Sequence, residues 1–429
     1  MRRFKDFLEP GRYGWLLVMA TWGSNAFAQP HSYTWQEIRD RFQTSNPTLR
    51  AAAISIDESR AQEITAYLRP NPDFSELVDG TQIAPHDGVW QPFSGTEYQS
   101  SLSYLHERRH KRELRRESAQ QGTGIATSQY ADQERTLLFN LRSAFVQTLQ
   151  QKAVLDLARD NLTYYNHLLE VSQDRLKAGD IARVDYQRLN LQRAQYQSDV
   201  QTAIVNLRTA KIQLLTLLND RTPVEQFDVT GPFDYSAQIP GLEELRRQAM
   251  TDRPDLKAAM QAVEKAQTDH LLAVANGSTD PTFSLWWTHN PSFSNPYAYD
   301  TVGGSVSIPL RIFDRNQGEK LRTQEDITRN ERLRDAASAQ VFSDVDSAYA
   351  TIESTLALLQ PYKETYLKEA VEVRDTVSFA YTRGGSSLLD FLQAQQDYRS
   401  TELNYLNLVG SYLTAAAQLD MAVGQEVIP

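Results

Sequence analysis

The chain has 429 residues, a formal net charge of −10, 41% hydrophobic residues and no cysteine. That length has room for more than one domain, while acidity without a dense basic tract argues against nucleic acid as a partner. Without cysteine there is neither a disulfide framework nor a site for a lipid on an N-terminal cysteine, so stability must come from packing or assembly.

Arg2, Arg3 and Lys5 open the chain, Gly14 to Trp22 is a short apolar run, and Ala26-Phe27-Ala28 follows it. That order reads as a secretory signal over residues 1–28, its apolar part too short to span a bilayer as a helix. Removing it takes away four basic and two acidic residues and leaves a charge of −12. No later stretch approaches eighteen consecutive apolar residues, so no transmembrane helix is expected. A transmembrane β-barrel stays open as a reading, because its strands alternate.

Residues 35–68 read as a first helix with a turn or fresh start at Asn46-Pro47, ended by Arg69-Pro70-Asn71-Pro72. Strands are expected at about 74–81 and 97–105, the second alternating Tyr98, Ser100, Leu102, Tyr104 with Gln99, Ser101, Ser103. Punctuation then almost vanishes: no proline lies between Pro92 and Pro223, and Gly179 is the only glycine between Gly124 and Gly231. Apolar residues recur in heptads at Leu141, Leu155, Leu162, Leu169 and Leu176, then at Val184, Leu191, Val205 and Ile212. This is the seam of helices packed lengthwise, and residues 107–178 would reach on the order of 100 Å as one helix.

Residues 222–240 read as a linker between a first unit, 29–221, and a second, 241–429. After it the pattern restarts. RPDLKAAMQAVEKAQ (253–267) echoes NPTLRAAAISIDESRAQ (46–62), and strands are expected at about 281–288 and 301–310. Two short hairpins carried on long helices cannot form an independent sheet, which suggests that several chains close one barrel. Aromatics gather at the strand ends and loops (Trp90, Tyr98, Tyr104, Phe283, Trp286, Trp287, Tyr297, Tyr299), as in a girdle at a membrane interface, the alternative being a periplasmic sheet with aromatics in its core.

Two motifs bear on chemistry. His106-Glu107-Arg108-Arg109-His110 matches the H-E-x-x-H signature of zinc peptidases. Lys111, Arg112, Arg115 and Arg116 follow it, a poor field for a dication, and no third ligand is evident. The other motif occurs twice. VSQDRLKAGDIARVDYQRL turns at Gly179, and VSFAYTRGGSSLLDFLQAQ turns at Gly384-Gly385, each with an Asp six residues after its first glycine (Asp185, Asp390). The glycines serve as helix C-caps. The carboxylates favour a helix N-terminus, or form a charged ring if several chains assemble. No nucleotide loop, catalytic triad or cofactor fingerprint is apparent.

The doubled architecture, the tip TRGGSSLLDFLQAQ, the passage SIPLRIFDRNQGE (307–319) and LRPNPDFS (68–75) resemble the TolC family of outer-membrane efflux channels, with a likeness to its CzcC-like, metal-exporting branch. The resemblance implies a mainly α protein of two tandem repeats. It would form a homotrimer with a helical tunnel in the periplasm and a twelve-stranded barrel, four strands per protomer, in the outer membrane. It implies no cofactor and no catalysis. The partners would be a periplasmic adaptor, an RND-type inner-membrane pump and outer-membrane lipid, and the cargo metal cations or other small toxic solutes. Gly179, Gly384 and Gly385 would be adaptor-docking turns. By position Asp185, Tyr381 and Asp390 match the family's periplasmic gate, whereas Ser386 stands where an Arg is expected and Gln393 where a second Asp is. The alternatives from the residues alone are a soluble periplasmic coiled-coil scaffold and a zinc metallopeptidase using His106, Glu107 and His110.

Overall fold

The computed structural model describes residues 31–291 and 297–428. The expected signal, residues 1–28, lies outside them. The chain starts with β1 (His31–Tyr33), α1 (Trp35–Ser45) and α2 (Pro47–Tyr67). Asn46 separates the two helices. Its backbone is extended, its side chain accepts the Leu49 N–H, and Pro47 takes the first helical position, where no N–H is needed.

β2 (Asp73–Asp79) and β3 (Glu97–Leu105) lead into α3 (Lys111–Ala178), whose 68 residues span about 100 Å at 1.5 Å each. α4 (Arg183–Leu217) returns beside it. Part of the stretch read as a linker is in fact a strand, β4 (Phe227–Val229), paired in parallel with β1. Phe227 and Val229 are buried in one cluster with Phe42, Phe145 and Leu214, and that burial fixes the segment in place.

The second half holds α5 (Leu242–Asp252), α6 (Pro254–Asn276), β5 (Thr282–His289), β6 (Asp300–Ser307), α7 (Gln317–Pro361), α8 (Leu367–Thr382) and α9 (Leu388–Val423). Pro361 and a five-residue π turn, Tyr362–Tyr366, join α7 to α8. Proline lacks the N–H that closes a helical turn, and a π turn is a usual place for a long helix to bend.

Four strands form one antiparallel sheet in the order β2-β3-β5-β6, so β2 and β6 are its edges. Register sorts the faces. Phe74, Leu102 and Leu285 share a row, as do Tyr104, Phe283 and Val306, and strand alternation puts both rows on one face. The opposite face carries Ser103, Ser284 and Ser305 in the row between them and, farther along, Thr288 and Thr301. On this hydroxyl face Trp286 covers Gly303, where an added Cβ would meet the ring at 2.5 Å. Among the described residues nothing covers the mainly apolar face, which also holds Glu76 and Ser100 in the Val302 row: Phe74, Leu102, Leu285 and Val302 are all more than half exposed.

Side by side, the helices run α2-α3-α6-α7 near the sheet and α4-α3-α9-α8 toward the far end. One lateral edge of the molecule is therefore α4, α2 and β2, and the other is α8, α7 and β6. The α3 heptads lie inside the chain, with Leu141, Leu155 and Leu169 buried. The α4 heptads do not. Val184, Leu191, Val205 and Ile212 are exposed, Leu191 by 74%, and a second heptad row, Leu189, Tyr196, Ala203 and Ala210, is buried in its place. Two apolar rows on one helix need two partners, and the described residues supply one.

Candidate functional site

Both tips end their descending helices in the same way. Gly179 has φ 85° and Gly384 φ 78°, the left-handed conformation that closes a helix. Asp180 N–H donates to Arg175 O at 2.8 Å, and Gly385 N–H to Ala380 O at 2.8 Å, so each tip satisfies the last carbonyls of its helix. A Cβ at Gly179 or Gly384 would meet nothing within 4 Å, so only the backbone angle requires glycine there. Gly385 has no positive φ.

The returning helices differ. Ser387 caps α9 with a reciprocal pair: its Oγ accepts the Asp390 N–H at 3.2 Å, and Asp390 Oδ2 accepts from Ser387 N at 3.2 Å and Oγ at 2.7 Å. Ser386 Oγ adds a contact to the same oxygen at 3.5 Å. The Ser387 hydroxyl, then its N–H, holds the Asp390 carboxyl below the usual range. Ala182 stands at the corresponding cap of α4 and offers no side-chain bond, so the half-exposed Asp185 is not part of a capping box. Gln393 donates to Asp397 at 2.7 Å along its own helix.

Between the tips lies a cluster of rings. Tyr165 stacks on Tyr196 at 4.4 Å and donates to Leu189 O at 3.0 Å, tying α3 to α4. Tyr381 stacks on Phe391 at 4.9 Å, tying α8 to α9. All four are buried in one cluster with Leu168, Leu169 and Leu189. Arg175 crosses from one hairpin to the other, its guanidinium 5.5 Å from the Tyr381 ring and its Nη1 3.2 Å from the Tyr381 carbonyl. The Tyr381 hydroxyl is buried and has no hydrogen-bond partner among the described residues. Burial, then the nearby charge of Asp185 against that of Arg175, raises its pKa. Asp185 thus lies within electrostatic reach of Tyr381 but does not bond it in the single chain.

Two further bonds join the hairpins. Tyr164 Oη lies 2.9 Å from Ser378 Oγ, and Arg399 Nη1 lies 2.5 Å from Asp199 Oδ2. Sequence reasoning singled out none of Arg175, Asp199, Phe391 and Arg399. Phe391 adjoins Asp390 in the tip motif, but no local pattern marks a pair 200 residues apart.

The H-E-x-x-H segment is not a helix face. Arg109 and His110 are both left-handed, and α3 begins only at Lys111, so the two histidines are not one turn apart. Glu107 instead receives both Arg115 Nη1 (2.5 Å) and Nη2 (2.8 Å). Among the described residues no group of three or more His, Cys, Asp or Glu could hold a metal ion.

The model of the family described as outer membrane efflux protein matches residues 245–425. The cobalt-zinc-cadmium resistance protein CzcC of Cupriavidus metallidurans is 24% identical over 384 residues, 89% of this chain and 87% of that protein. The outer membrane protein TolC of Escherichia coli is 21% identical over 319 residues, 71% of this chain and 64% of that protein. Among solved structures, CusC superposes with a TM-score of 0.75 at 17% identity, covering 98% of this chain and 99% of that one. The outer-membrane channel OprN superposes with a TM-score of 0.75 at 16% identity, covering 92% and 90%.

Proposed function

We propose that the chain is a member of the outer membrane efflux protein family, whose model matches residues 245–425, and that it works as that membership implies. It is the outer-membrane channel of a tripartite efflux system, a passive export duct and not an enzyme, with its helical part in the periplasm. On our reading three copies close the duct, each giving four strands to a twelve-stranded barrel and a pair of helical hairpins to the tunnel below. The two halves of the chain then act as tandem repeats, 29–221 and 241–429.

One observation carries the assembly. The sheet has an apolar face, a hydroxyl face and two unpaired edges, β2 and β6. A sheet of this kind is stable in lipid only when its edges are closed, because unsatisfied backbone groups are costly there. The helical edges repeat the message: Val184, Leu191, Val205 and Ile212 are exposed on α4 at one side, and Leu333 on α7 and Val373 and Phe379 on α8 at the other. Different surfaces meeting head to tail generate a ring when the rotation closes.

The tips, with Gly179, Gly384 and Gly385, are the docking end for a periplasmic adaptor, behind which stands an RND-type inner-membrane pump. Asp185, Tyr381, Ser386, Asp390 and Gln393 form the gate region. The free Tyr381 hydroxyl and the half-exposed Asp185 are its adjustable parts, while Asp390 also caps α9. Metal cations or other small toxic solutes are the cargo we assign, because a cobalt-zinc-cadmium resistance protein is a relative over most of the chain. Fractionation of expressing cells tests the reading: the protein should enter the outer membrane as a trimer that heating converts to monomer on gels. A soluble periplasmic monomer would overturn it in favour of a coiled-coil scaffold.

A further inference from the structure

We infer that the Arg399–Asp199 ion pair, seated on Tyr196, is the pair that positions one tip hairpin against the other. The inference rests on the duct reading above. Arg399 is on α9 and Asp199 on α4, helices that flank α3, so the pair bridges the two hairpins across the helix between them. Its geometry is built from both sides. Gln195 donates to Asp199 Oδ1 at 2.8 Å, Arg399 donates to Asp199 Oδ2, and Arg399 Nη2 donates to Gln396 at 2.7 Å. The guanidinium lies 5.3 Å from the centre of the Tyr196 ring, which is itself stacked on Tyr165 of α3. One side chain thereby touches α4 and α9 and, through the stacked rings, is coupled to α3.

Its surroundings give the pair leverage. Below it is the ring cluster of the tips. Above it lies a cavity of about 390 Å³ between α3, α4 and α9, lined by Gln151, Val154, Asn206, Leu403 and Asn407 besides the pair itself. Among the described residues the next side-chain bond from α3 to α9 above the pair is Gln150 to Asn407, at 2.8 Å. Here the helices approach closely at Gly410, whose added Cβ would meet the Gln150 amide. The π turn at Tyr362–Tyr366 lies at about this height, with Tyr405 of α9 close enough to Lys363 to feel its charge. The π turn in one hairpin and the cavity between the two mark the level, just above the pair, about which the tips would separate, while nearer the tips Tyr164–Ser378 and Arg175–Tyr381 also join them. Among the described residues the Ser386 hydroxyl reaches Asp390 of its own hairpin and no group of the other.

The test uses the full chain, which has no native cysteine. Spin labels at Ala178→Cys and Thr382→Cys, diluted among unlabelled copies, report the separation of the two tips within one protomer. Arg399→Gln and Asp199→Asn should each lengthen and broaden that distance and raise mean trimer conductance in planar bilayers several-fold. The swap Asp199→Arg with Arg399→Asp should restore both. Unchanged distances in the single variants, or a swap as disturbed as they are, would overturn the inference. Loss of heat-resistant trimers in singles and swap alike would also overturn it, by making the pair a matter of folding. Wild-type trimers that do not conduct would refute the duct, whereas the label distances judge the pair separately.

Discussion

Asp185 and Asp390 hold the same position in their helices and differ in freedom. Asp390 is engaged by Ser387, and a low pKa keeps it charged, so its role as a cap is direct. Among the described residues Asp185 has no such partner, and the buried Tyr381 hydroxyl near it accepts or donates no hydrogen bond. Buried polar groups are rarely left that way without a functional reason. The tip glycines allow a clean measurement, because a Cβ there touches nothing. Gly179→Ala or Gly384→Ala should cost about 1–2 kcal/mol from the left-handed backbone alone, and Asn less. Hydrogen exchange at the tip amides would show it as faster local opening.

Asp420, near the end of α9, offers a test at the same scale. Burial raises its pKa to about 6, against two backbone N–H bonds from Val427 and Ile428 that lower it. The folded chain therefore holds this proton more tightly than the unfolded one, so stability from this group falls as pH rises from about 4 to 6 and stays low above that. Asp420→Asn should remove the slope and raise the apparent Tm at pH 7, by an effect on the order of 2–3 kcal/mol. Melts of variant and wild type from pH 4 to 7 would reveal it, and parallel curves would refute the assignment. At this scale the sequence marked the two tip turns; the gate positions remain our proposal. It could not mark Arg175, Arg399 or Asp420, because burial and long-range pairing set their roles and neither leaves a local pattern.

At the scale of elements, heptad spacing identified long helices but not which face each would bury. On α3 the row through Leu141 and Leu155 is inside the chain. On α4 the row through Val184 and Leu191 is outside, and the inner row starts at Leu189, five residues out of phase with the first. Both rows are apolar, so composition alone cannot choose between an intramolecular and an intermolecular seam. Much of 222–240 reads as a connection, yet Phe227 and Val229 are core residues because β1 arrives from the far end of the first unit to pair with them. If the outer row of α4 meets a second copy, Leu191→Glu and Val205→Glu should abolish the trimer while leaving helix content unchanged. Circular dichroism with light scattering after size exclusion would separate assembly from folding. Intact trimers in both variants would move the seam elsewhere.

The described residues form a strip with an apolar sheet face at one end, paired helical tips at the other, and unmatched edges along both sides. Nothing in that strip forms a pore by itself. In the trimer proposed above, ring closure would turn the hydroxyl face of the sheet, with its serines and threonines, inward around a lumen, and three acidic chains around one bore should favour cations. Single-channel recording of the purified, assembled protein in planar bilayers tests this most directly. Discrete, stable conductance steps are expected, with a reversal potential in a salt gradient that reports cation preference. Well-folded trimers that insert and pass no current would contradict it.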